Sequence, residues 1–193
     1  MKVCWALLLG LCALPAQAAE AFVLDGGHTR VAFDVRRLGV PWIEARFRQL
    51  AGSFVVDREG AGSRIEVTVR TDSLEGLVPF WDRRLRSAGW LDTQRYPEMT
   101  YRSSQVLFDP AGGAVAEGEL TLHGVTRPVR LEVRQLDCAG ATLERACAFV
   151  AEARLKRSDF GLPHGFWMAG DAVEISISGT ALRPQDLAAA GGQ

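Results

Sequence analysis

The chain has no asparagine and only two lysines against twenty arginines. Genome base composition accounts for the imbalance better than a phosphate-binding role for so many arginines, and the charges nearly cancel: 22 Lys and Arg stand against 23 Asp and Glu. So near-neutral a chain offers no dominant attraction to nucleic acid or to an anionic membrane surface. Histidine is scarce too, with three in the whole chain. His28 and His123 fall in turn-like stretches and His164 in an aromatic one. No HExxH or H-x-H spacing brings two together to hold a metal. There is no G-x-S-x-G, so nothing places a serine nucleophile on a sharp turn. Asp159-Phe160-Gly161 spells a kinase magnesium motif, but no Gly-rich loop or strand lysine accompanies it. Glu75, Asp82 and Asp92 have no spacing that fixes a carboxylate pair. These gaps leave no group to make or break a bond, so neither an enzyme activity nor a cofactor is expected.

Long apolar runs are missing as well. Val3 to Leu14 is about a dozen residues, short of the roughly 20 that a spanning helix needs. It follows Lys2 and precedes Pro15 and Ala16-Gln17-Ala18. A positive start, an apolar middle and a small-x-small site read as a secretory signal cleaved after Ala18. Cys12 would suit a lipoprotein, but Leu11 stands where a small residue is required. The expectation is a periplasmic protein: signal peptide over 1–18, one domain with a real core over 19–183, and a flexible, alanine-rich tail over 184–193. No permanent membrane insertion is expected.

Of the four cysteines, only Cys138 and Cys147 follow residue 18. They flank AGATLERA, and in an exported protein so close a pair reads as a disulfide stapling a hairpin loop. No third ligand stands nearby for a metal, and a redox pair usually has the tighter C-x-x-C spacing.

Alternation, by contrast, is plentiful. In GELTLHGVTRPVRLEV, Gly118 to Val133, Leu120 and Leu122 share one face of an extended chain; Val129, Leu131 and Val133 share one face after a short polar break. This is an antiparallel hairpin with one buried side, its turn eased by Gly124. The same period of two marks Val31–Val35, Ile43–Phe47, Ile65–Val69, Met99–Tyr101, Phe149–Leu155 and Val173–Ile177. Leu38 to Trp42, with Gly39 and Pro41, is expected to bend. Only Leu77, Phe80, Trp81 and Leu85 take helical spacing, which predicts a short amphipathic insertion near 77–88, its approach capped by Asp72 or Ser73. Strands apolar on one face favour closure, so the fold class is all-β, an antiparallel barrel of about eight strands.

Strand, HGVTRPV, strand resembles the best-marked hairpin of the YceI-like, polyisoprenoid-binding family. Asp25, His28-Thr29, Val31, Phe33 and Leu38-Gly39 fall at that family's spacing, as do Phe47 and Gly52. Asp82, Leu85-Arg86-Ser87, Leu91 and Tyr96-Pro97 match its helical segment, and Arg157-Ser158-Asp159-Phe160-Gly161 its late motif. The resemblance runs from about Phe22 to Leu182. It implies an exported, eight-stranded, lipocalin-like β-barrel whose characterised relatives hold a long isoprenoid chain inside. Departures cluster among polar residues: Arg37 and Arg84 stand where the family usually has histidine, Ala45 where it has glycine, Trp81 where it has arginine and Gly89 where it has aspartate. The apolar frame is kept, and the identity of the ligand does not follow.

The expected function is therefore a carrier of a long apolar, isoprenoid-like lipid of polyprenyl or quinone type. Phe33, Phe47, Tyr101, Leu131 and Ile175 are expected to face inward, with Trp42 and Phe160 also in contact. Trp81, Leu85 and Trp90, with Phe166, Trp167 and Met168, are expected to form the mouth, and Arg84 to meet the head group. Two rivals stand beside this: a filled barrel that binds a membrane redox protein, and an enzyme acting on such a lipid. A homodimer is left open.

Overall fold

The alternating segments wrap into a closed tube. The structure, a computed structural model, describes residues 19–37, 40–57, 62–137, 146–163 and 170–186, with backbone alone at 36, 37 and 40–42. Eleven strands make one sheet: β1 (Glu20–Leu24), β2 (Arg30–Arg37), β3 (Val40–Phe47), β4 (Leu50–Val56), β5 (Arg64–Arg70), β6 (Leu74–Gly76), β7 (Glu98–Phe108), β8 (Ala114–Leu122), β9 (Val125–Asp137), β10 (Ala146–Lys156) and β11 (Ala172–Leu182). One helix, α1 (Pro79–Arg86), lies between β6 and β7. β1 and β2 follow each other along one edge of β11. β4 and β3 pair with them in turn, and β5 and β6 with β4 and β3. Each of these couples is a single strand interrupted by a bend. The eleven segments thus make an eight-stranded antiparallel barrel in which every strand pairs with the next and β11 closes on the first.

The β8–β9 hairpin closes on a two-residue turn. His123 and Gly124 have φ of 53° and 74°, both left-handed, as a type I′ hairpin requires. A Cβ on Gly124 would lie 2.6 Å from the Tyr96 ring, so this position excludes a side chain twice over. Inward residues of the hairpin are buried, among them Leu120, Leu122, Val129, Leu131 and Val133. Outward residues pair across strands, as Arg102 with Glu66, Arg134 with Glu152 and Arg154 with Glu174. Such exposed pairs add little stability.

Two local expectations change, and one feature is added. The bend at Leu38 to Trp42 takes the form of a bulge: Val40 to Trp42 belong to β3, and Pro41 pairs with Arg36 just past a register shift. A bulge accommodates a residue with no N–H to give. Leu38 and Gly39 lie outside the described residues. In β7 a second bulge, at Ser104, reverses parity, so Met99 and Tyr101 share the inward side with Val106 and Phe108.

The helix differs most. It forms where expected but has only two turns, starts with Pro79 at its first position, and has Val78 as an N-cap that makes no side-chain bond. Asp72 and Ser73 sit instead in a short 3-10 turn, where Asp72 accepts from Arg70. Of the four apolar residues at helical spacing, Leu85 is buried and Trp81 half-buried, while Leu77 and Phe80 are exposed. Leu77 precedes the first turn, so its spacing from Leu85 carries no common face.

Candidate ligand-binding site

Inside the barrel the inward side chains leave two apolar chambers that meet at Val31. We call the one beside α1 proximal and the other distal. The proximal chamber is lined by Phe33, Val35 and Phe47 from β2 and β3, Met99 from β7, Leu122 from β8, and Leu155, Val173 and Ile175 from the closing strands. Leu85 of α1, Trp90 and Leu91 of the following turn, and Leu162 cover it. Phe33 and Phe47 pack with ring centres 5.6 Å apart. The distal chamber is lined by strands: Phe54 of β4, Ile65 and Val67 of β5, Val106 and Phe108 of β7, Leu131 and Val133 of β9, and Phe149 of β10. Space free of protein atoms, including the open margins, is about 720 Å³ in the distal chamber and about 630 Å³ in the proximal one. The cavity proper is about 70 Å³ in each, well below the ~300–1,000 Å³ of ordinary small-molecule sites, so a long guest must part the lining side chains to enter.

One charged side chain stands in the proximal wall. Arg157, 4% exposed, follows β10 and lays its guanidinium over the Trp90 ring, 5.4 Å from the centroid. It donates to the Gly170 carbonyl, and the next residue, Ser158, gives its N–H and hydroxyl to Asp171 at 2.9 and 2.7 Å. Together these tie the end of β10 to the start of β11 and to the Trp90 turn. Burial lowers the Arg157 pKa from its ordinary value, and the charge of Asp171 opposes that shift.

Between the chambers on β7 sits Tyr101, which lines neither. Its hydroxyl donates to the Ala116 carbonyl at 3.0 Å and lies 3.3 Å from that of Val129. Burial, with Glu117 contributing, pushes its pKa up to about 12.

Of the residues expected to contact a ligand, the structure brings Phe33, Phe47, Leu85, Trp90, Leu131 and Ile175 to chamber walls. Phe160 is buried in the core beside the proximal chamber, and Trp81 packs on the core without lining either space. Arg84 is exposed on α1 and lines neither chamber. Phe166, Trp167 and Met168 lie outside the described residues, as does the Trp42 side chain. Cys147 is fully buried in the distal aromatic cluster with Phe22 and Phe54, and Cys138 lies outside the described residues. Arg157 was visible in the sequence as part of the RSDFG run, but nothing in its spacing says that a guanidinium there turns inward. Among the described residues no group of three or more His, Cys, Asp or Glu is arranged to hold a metal.

Comparison with known proteins places this architecture. The YceI-like domain model matches residues 22–181. A UPF0312 protein of Vibrio parahaemolyticus is 36% identical over 155 residues, 78% of this chain and 81% of its own. Protein YceI of Escherichia coli is 33% identical over 159 residues, with 80% and 81% covered. Among solved structures, BcnA of Burkholderia cenocepacia superposes with a TM-score of 0.72 at 22% identity, over 81% of this chain and 98% of its own. A polyisoprenoid-binding domain from Saccharophagus degradans gives 0.61 at 18% identity, over 84% and 98%. Those two likenesses concern the fold. The domain match over nearly the whole barrel, with relatives a third identical across four-fifths of their length, shows that the chain belongs to the YceI-like family.

Proposed function

We propose that this protein is an exported, periplasmic carrier that holds a long apolar, isoprenoid-like lipid along the axis of its barrel and performs no bond-making chemistry. The observation that carries the reading is the pair of contiguous apolar chambers, whose walls hold a single charged side chain, Arg157, at one end. An apolar chain gains about 25 cal/mol for each Å² withdrawn from water, so a tail threaded through both chambers is held without specific contacts. Polar groups in such a wall set orientation. A polyprenyl or quinone-type ligand would keep its polar head at the Arg157 and Trp90 end and its tail toward Phe54 and Phe149. The polyisoprenoid-binding domain with the same fold supports the ligand class. Export is supported by the signal-like residues 1–18, and in the periplasm Cys138 and Cys147 would be joined.

Native mass spectrometry of protein purified from its own host tests this. A co-purifying lipid mass is expected in the parent. Arg157→Gln is expected to change which lipid is carried, because it alters the one charged wall residue. A parent with no lipid mass would overturn the carrier and favour a filled barrel that serves as an interaction partner of a membrane redox protein.

A further inference from the structure

We propose that the Leu77–Phe80 knuckle at the head of α1 docks on an anionic phospholipid surface and sets the proximal chamber against the bilayer. The proposal rests on the carrier reading for its purpose but on separate residues for its argument.

Four consecutive apolar residues, Leu77, Val78, Pro79 and Phe80, project from the barrel here. Leu77 is 86% exposed, Phe80 57% and Val78 47%. Elsewhere among the described residues the one other large exposed hydrophobic is Leu107, near the end of β7 and opposite the half-buried Val115. A single exposed leucine is ordinary, whereas a contiguous apolar run at the surface marks a contact. The knuckle is built rather than frayed. Gly76, at the end of β6, gives its N–H to the Asp82 carboxylate at 2.8 Å, and Arg86 donates to the Leu74 carbonyl. These two bonds clamp β6 to α1 and hold the connecting residues outward.

The charges around the knuckle decide its partner. Arg83 and Arg84 follow it on α1, both exposed. Of the neighbouring acids, Glu75 pairs with Arg46 at 3.1 Å and with Arg48 at 3.5 Å, and Asp82 holds the Gly76 N–H; Asp34 and Glu44 line the hollow on the β2–β3 side of Leu77, away from the α1 arginines. The whole chain is nearly neutral, yet this end presents apolar side chains with guanidinium groups behind them. Interfacial segments combine aromatic and aliphatic residues that enter the headgroup boundary with arginines at the phosphates. The next turn of the same helix places Leu85 in the proximal wall. A lipid leaving that chamber beside a docked knuckle would pass from one apolar medium to another.

Co-sedimentation with protein-free vesicles tests the proposal, using protein purified from its own host. The parent is expected to bind vesicles of equimolar phosphatidylglycerol and phosphatidylcholine, and to bind phosphatidylcholine alone more weakly. Arg83→Glu with Arg84→Glu is expected to weaken binding to the anionic vesicles by roughly thirtyfold or more, the loss due to two arginines at such a surface. Leu77→Asp with Phe80→Asp is expected to weaken binding to both vesicles by roughly tenfold or more. Leu107→Asp is expected to change neither. All these sites are exposed, and circular dichroism checks that the variants fold. A parent that ignores both vesicles, or knuckle variants that bind like it, would overturn the proposal. So would binding to host membranes but not to protein-free vesicles, which would make a membrane protein the occupant. Lipid occupancy, read by mass spectrometry on the same preparations, separates the two readings. A loaded parent that ignores vesicles sinks the docking site alone, and an empty parent that binds them sinks the carrier alone.

Discussion

The distal chamber is walled almost wholly by strands, with Phe54, Phe108 and Phe149 converging from β4, β7 and β10. The proximal chamber takes Leu85 from a helix, Trp90 and Leu91 from the turn after it, Leu162 from the turn after β10, and a buried guanidinium. A sheet offers its interior only alternate side chains, and those must be apolar for the barrel to close. In the proposed carrier, discrimination and opening would fall to the end made of connecting segments, which can change without disturbing the ladder. The distal end would hold, and the proximal end would choose.

The strongest way to break this contrast is to charge the holding end. Leu131→Arg places a cation in the distal wall, where an unpaired charge is costly and excludes an apolar guest. It is expected to abolish lipid co-purification in native mass spectra and to lower the melting temperature; full occupancy would mean that the tail does not lie there. Next in size is the disulfide proposed between Cys138 and Cys147, which would staple the distal end. Thiol titration of the native protein is expected to find no free thiol, and reduction to cost about 2–3 kcal/mol of stability with lipid occupancy unchanged.

At the proximal end, Gly124 and Gly161 both have positive φ, 74° and 67°. A Cβ on Gly124 meets the Tyr96 ring, whereas nothing lies within 4 Å of one on Gly161. Gly124→Val is expected to cost roughly 1–3 kcal/mol in urea denaturation. Gly161→Ala carries the backbone term alone, about 1 kcal/mol. Equal effects would deny the steric part.

The smallest effect concerns Tyr101, at the division between chambers. Its pKa in the fold is raised to about 12 from an ordinary 10.0, so the unfolded chain releases this proton first. Its contribution to stability is complete below about pH 10 and is lost as pH rises toward 12. Tyr101→Phe is expected to remove that alkaline loss and to cost about 1 kcal/mol at neutral pH for the missing hydrogen bond.

Most of the barrel was legible because a period of two reports which face of a strand is buried, and residues such as Val31, Leu131 and Ile175 say so without ambiguity. It does not report curvature. The bulge at Ser104, which brings Val106 and Phe108 inward, follows from strand pairing that no local pattern encodes. The α1 region misled for a related reason. Leu77, Phe80 and Leu85 have helical spacing, but the helix begins only at Pro79 and is too short to give them one face. Arg84, expected at the head group, lies exposed on α1, while Arg157 turns inward because Trp90 and the start of β11 receive it.

The order of the strands also governs how the chain assembles. Each strand pairs with its successor, so most of the sheet can form progressively from the N-terminus. The closing contact is different: Val31 pairs with Ile177, and Val23 with Leu182, across nearly the whole sequence. Until residues 172–182 are available, β2 and β10 both present open edges. Closure is then expected to be the slow, entropically expensive step, and a chain cut short before Ala172 to be left as a curled sheet prone to pairing with its neighbours.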